Sequence, residues 1–137
     1  MLRVLKRIPL LTYLIIMYNV VTVGRPVGTT LDTAVFTTQL ISGSTLSLTV
    51  GDLFVALGVL ILYVEIFKST RSSVDAIIDH LLSMLLFVVC LVEFLIFPRG
   101  GTVTFLLLTL IALLDVIAGF TISISTARRD FAVGDRL

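Results

Sequence analysis

Few residues in this chain have chemistry to offer, and most of them stand inside apolar runs. Asp115 sits in the middle of LIALLDVIAGF (110–120), Glu93 in VVCLVEFLIF, Glu65 in ILYVEIFK, and Asp79 beside His80 in IIDHLL. Asp52 and Asn19 complete the set of polar candidates. An ionised side chain in the bilayer core costs several kcal/mol. Such carboxylates therefore serve either to bond helix to helix or to carry a proton or cation, and His80 belongs to the one residue type that ordinarily titrates near neutral pH.

Their spacing sorts them onto helix faces. Asp79, Ser83, Leu86, Cys90 and Glu93 follow one another at intervals of 4, 3, 4 and 3, a single stripe. His80 stands about 100° from it. Ala112, Asp115, Gly119 and Ser123 form a second stripe, Gly51, Gly58 and Glu65 recur every seven residues, and so do Thr12 and Asn19. Lipid is as apolar as leucine, so membrane helices associate through small residues and polar bonds. The seams predict faces turned to protein, with Gly58, Ala112, Gly119 and Ser123 as packing positions.

The elements that carry these stripes follow from composition. Of 137 residues 58% are hydrophobic and only 14% charged, with a mean hydropathy of +1.16, far from the balance of a soluble domain. The expected fold class is an all-α integral membrane protein forming one membrane domain over 1–137. Four transmembrane helices are predicted, at about 8–24, 46–67, 74–97 and 103–125, in an antiparallel bundle. Residues 8–24 follow basic Arg3, Lys6 and Arg7 as a secretory signal would. They carry two tyrosines and Asn19 and lack an A-x-A site, so an uncleaved first helix is expected, with Pro9 in its first turn. Ser72 and Ser73 are N-cap candidates for the third helix, and Asp75 suits its positive end. The loop 25–45 is expected as a short surface helix capped by Thr30, or as partly extended chain.

Eight of the ten basic residues fall on one side of this layout, and only Arg25 and Arg99 on the other. The bias predicts both termini in the cytoplasm. Glu65, Asp75 and Asp79 then lie near the cytoplasmic face, within reach of Lys68, Arg71, Arg128 and Arg129 for an ion-paired network. Asp52 and Glu93 lie toward the outer face, near Arg25 and Arg99. Asp115 lies about 18 Å from one end of its segment and about 15 Å from the other. It must be protonated, bonded to a partner such as Asn19, a serine or a backbone group, or bound to an ion.

Several functions are excluded at this level. A net charge of +1 predicts no nucleic-acid partner, and one cysteine, Cys90, leaves no intramolecular disulfide or cysteine metal site, only a small buried apolar residue. There is no HExxH, no GxSxG, no histidine cluster and no phosphate loop, so neither an enzyme nor a cofactor is expected. The fourth helix lacks the arginines of a voltage sensor, and the first lacks the acid of a small multidrug exporter.

The hydropathy layout and the sequence Tyr63-Val64-Glu65-Ile66-Phe67-Lys68 resemble the phosphate-starvation-inducible, PsiE-like proteins. That resemblance implies a four-helix protein of the bacterial inner membrane. The favoured expectation is a non-enzymatic membrane protein acting by helix packing, as a homo-oligomer or as the accessory subunit of a membrane-protein partner. The alternative is a small proton- or cation-coupled transporter or channel centred on Asp115.

Overall fold

Pro9, Thr49 and Thr102 mark where three of the helices begin. In the computed structural model, which describes residues 8–24, 30–69 and 74–134, with side chains at 74–77 and 126–134 left aside, Pro9 immediately precedes α1, Leu10–Thr22. Thr49 precedes α2, Val50–Ser69, and Thr102 precedes α4, Val103–Gly134; α3 is Val74–Ile96. Ser72, Ser73 and the basic residues Arg3, Lys6, Arg7, Arg25, Arg71 and Arg136 lie outside the described residues. So do the side chains of Asp75, Arg128 and Arg129.

Three helices, at Val50–Ser69, Ile78–Ile96 and Val103–Ser125, are long and apolar enough to cross a membrane. The N-terminal helix α1, Leu10–Thr22, is shorter than the expected 8–24. Its 13 residues rise about 20 Å, against the roughly 30 Å of a hydrocarbon core. Proline at its start and Gly24 with φ of 71° just after it set these bounds.

The second helix starts four residues later than expected. Thr45–Thr49, in which leucine alternates with serine and threonine, is strand β2, paired antiparallel with β1, Ala34–Gln39. Period-two alternation with β-branched threonines favours the pleated strand over the helix. Phe36 pairs with Leu48 and Thr38 with Leu46, and Gly43, with φ of 82°, turns the chain between the strands. Of the two expectations for 25–45, the extended one holds for Ala34–Gln39, which is a strand of this hairpin, and no helix follows Thr30 in the described part of the loop.

Thr49 and Asp52 switch the chain from strand to helix. Asp52 Oδ2 accepts from the Thr49 backbone N–H at 2.8 Å, while Thr49 Oγ1 accepts from the Asp52 N–H at 3.2 Å, a reciprocal capping box. Carbonyls of Thr33 and Leu31 take the N–H groups of Val50 and Gly51. At the α3–α4 turn Thr102 Oγ1 accepts from the Phe105 N–H at 3.0 Å, a single N-cap bond. A Cβ on Gly100 would lie 2.5 Å from the Glu93 carbonyl oxygen and 2.8 Å from Phe94 Cα. Only glycine lets the turn close so tightly. α4 continues past the expected end at 125 because its apolar run gives way to alanine, arginine and aspartate, with neither proline nor glycine before Gly134.

Packing fixes the directions. Gly58 brings α2 against Leu108 and Ile111 of α4 and Leu14 of α1, while Gly51 lies against Thr104. Hence α2 and α4 run the same way, and α1 and α3 run against them. Tyr18, fully buried, packs between Phe54, nearly perpendicular to it, and Phe105, tilted against it, at ring separations of 5.6 and 4.9 Å. Its hydroxyl donates to the Arg99 carbonyl at 3.0 Å and lies 2.7 Å from Thr102 Oγ1, pinning α1 to the α3–α4 turn. Tyr18→Phe removes both bonds and keeps the ring. We expect a loss of about 1 kcal/mol, read as earlier unfolding when mixed micelles are titrated with dodecyl sulfate.

A buried polar cluster as candidate functional site

Seven-residue spacing on α2 buries Gly51, Gly58 and Glu65 together, so a carboxylate follows two glycines into the interior. Glu65 is 4% exposed. Its Oε1 accepts from the Leu10 backbone N–H, one of the donors left open at the start of α1. A negative charge there also meets the positive end of that helix. Its Oε2 pairs with Lys68 Nζ at 3.1 Å, and Nζ reaches Asp79 Oδ2 on α3 at 3.5 Å. One ammonium thus ties α2 to α3, and Glu65 ties both to α1.

Asp115 belongs to the same region. It is 5% exposed and hydrogen-bonded to Ser83, one turn beyond Asp79 on α3, and it stands close enough to feel the charges of Glu65, His80 and Lys68. Its Oδ2 is buried and meets no hydrogen-bonding group among the described residues. The same holds for Nε2 of His80. The imidazole and the Phe120 ring meet nearly at right angles, with ring centres 4.0 Å apart, and the imidazole fills the space that a side chain on Gly119 would need. Small size at 119 thus makes room for a titratable ring.

No family model, curated protein or solved structure matches the chain. The chemistry of the cluster rests on its own geometry.

The stripes read from spacing meet this geometry unevenly. Ala112, Asp115 and Gly119 are buried on α4, as are Ser83, Leu86 and Cys90 on α3, but Ser123 is exposed and takes no part in the seam. Asp52 is exposed and engaged in capping α2, which separates it from any interior site. Asn19 is not the partner of Asp115; its amide donates to the Ile15 carbonyl of its own helix at 3.2 Å. Glu93 lies at the opposite end of α3, in a groove with Asn19 and Arg99. Glu65, Asp79, His80 and Asp115 are the candidates brought together. Sequence reasoning paired Lys68 with Glu65 and Asp79 by nearness to one membrane face. It did not find the Leu10 amide, because no side chain advertises a backbone donor.

The cluster holds three carboxylates and one ammonium among its described side chains. No described group of three histidine, cysteine, aspartate or glutamate residues is arranged to hold a metal ion. Two titratable groups on facing helices, Asp115 and His80, each keep a buried atom without a described partner.

Proposed function

We propose that this chain is a small, non-enzymatic membrane protein that takes up a proton at Asp115. The observation carrying this reading is the buried Asp115 Oδ2 with no described partner, inside a cluster where, among the described side chains, three carboxylates face one ammonium. Burying unbalanced negative charge is costly. One proton on a carboxylate halves that excess, from two negative charges to one, without any further ligand, and the His80 imidazole stands beside it on α3. With eight basic residues on the side of the chain termini, the cluster end of the bundle is the cytoplasmic one. The PsiE-like resemblance suggests a bacterial inner membrane.

Asp115→Asn preserves shape and the bond to Ser83 but cannot titrate. In lipid vesicles, infrared titration of the wild type is expected to reveal a protonated-carboxyl band that appears as pH falls and is absent from Asp115→Asn. Any proton flux into the vesicles is expected to vanish with it. Survival of the whole band in the variant, or its absence from the wild type at every pH, defeats the reading. A band displaced by sodium or potassium at fixed pH replaces the proton with a cation.

A second reading, an oligomer or accessory subunit, draws support from α3. That helix leaves Leu81, Leu85, Leu95 and Ile96 exposed, apolar positions that another membrane helix fits. The mass of the protein in native-like bilayer discs distinguishes a single copy from an assembly.

A further inference from the structure

Where α1 and α3 diverge, at the end of the bundle that carries the α3–α4 turn, they enclose a groove of about 660 Å³. Its walls are apolar, formed by Val88, Val89, Val92 and Phe97. Its mouth is polar, with Asn19, Glu93 and Arg99. Among the described residues the ion pairs are those of Lys68, so Glu93 and Arg99 bring opposite charges to one groove without joining each other.

We propose that this groove seats one phospholipid with a zwitterionic, amine-bearing headgroup. Arg99 takes the phosphate, Glu93 takes the ammonium, and an acyl chain lies along the valines of α3. Charge decides the class of occupant: an anionic headgroup satisfies Arg99 but leaves Glu93 facing negative charge, whereas a zwitterion satisfies both. Length agrees. From Val88 to Phe97 the chain rises about 13 Å, close to one leaflet of a hydrocarbon core roughly 30 Å thick. An apolar helix from a second copy would instead cover Glu93 and Arg99 with nothing to bond them, which is unfavourable in a dry interface. The proposal is independent of proton uptake at Asp115.

The test uses the full chain purified from vesicles of phosphatidylethanolamine, phosphatidylcholine or phosphatidylglycerol with identical acyl chains, and counts retained lipid by native mass spectrometry. Wild type is expected to keep phosphatidylethanolamine, whose ammonium donates to Glu93, on the order of tenfold better than phosphatidylglycerol, the scale of one charge-assisted bond. Phosphatidylcholine, whose quaternary ammonium attracts Glu93 but donates no hydrogen bond, is expected in between. Glu93→Gln should erase that preference, Arg99→Gln should weaken retention of all three about tenfold, and Val92→Trp, which fills the groove, should do the same without touching a charge. Equal retention of all three lipids by wild type overturns the proposal. So does wild-type retention by both charge variants, or a lipid-free dimer. Folding of each variant is checked by its dodecyl sulfate midpoint, and Val92→Trp keeps the test decisive if a charge variant fails to fold.

Discussion

Lys68→Met is expected to destabilise the protein by about 3 kcal/mol, measured as the shift of its unfolding transition in dodecyl sulfate mixed micelles. Removing one partner of a buried ion pair costs roughly 3–5 kcal/mol because the other charge is left uncompensated. The lower end applies because 33% of the Lys68 side chain is exposed, so part of its attraction to Glu65 and Asp79 is already screened. Glu65 also keeps the Leu10 amide when Lys68 is gone. The informative control is Lys68→Met combined with Glu65→Gln. It removes charge from both sides and keeps the acceptor for Leu10, and is expected to recover most of the loss. If the double variant is as unstable as the sum of the two singles, Lys68 acts through packing of its methylene stem and not through charge.

This dependence on partners separates what was legible in the sequence from what was not. Composition and hydropathy sufficed for three spanning helices, because an apolar stretch of about 20 residues has few alternatives in a membrane. α3 begins at its expected residue and ends one residue early, and the heptad of Gly51, Gly58 and Glu65 is buried as its spacing implies. Thr45–Thr49 was harder. Its leucines are as apolar as those of a helix, and only the alternation with serine and threonine, together with the threonine and aspartate three residues apart, marked a strand ending in a capping box. Asp52 shows the same difficulty at the level of one side chain. Depth put it among the ion-site candidates, whereas its oxygen is spent on a backbone N–H three residues away.

Helical spacing states which residues share a face but not what that face meets. For Asp115 the sequence left Asn19, a serine, a backbone group or a bound ion open, and the choice of Ser83 depends on how α3 and α4 are staggered by the turn at Gly100. Glu93 shares a stripe with Asp79 on α3, yet the two lie at opposite ends and serve different surroundings: an ion bridge to α2 and an open groove beside α1. One stripe on one helix thus places its two carboxylates in two separate surroundings.

Gly119→Val is expected to cost about 2–3 kcal/mol, the upper part of the range for forcing extra methyl groups into a packed interior. In the motif Gly119-x-x-x-Ser123 a glycine ordinarily lets two helix backbones approach. Here a Cβ at 119 would overlap the His80 imidazole, its Cε1 at 2.9 Å and Cγ at 3.3 Å, so the contact is between a backbone and a ring. That distinction is testable, because a backbone clash cannot be relieved by trimming a side chain. Combining Gly119→Val with His80→Ala opens the space that the valine needs and is expected to restore at least half of the lost stability, a coupling of about 1–2 kcal/mol between two residues in contact. A neutral Gly119→Val places no ring at that position, and a double variant no more stable than Gly119→Val assigns the crowding to the α3 backbone. If rescue is observed, the glycine is a seat for the one histidine of the chain, and whatever moves that ring also changes the surroundings of Asp115 one turn away.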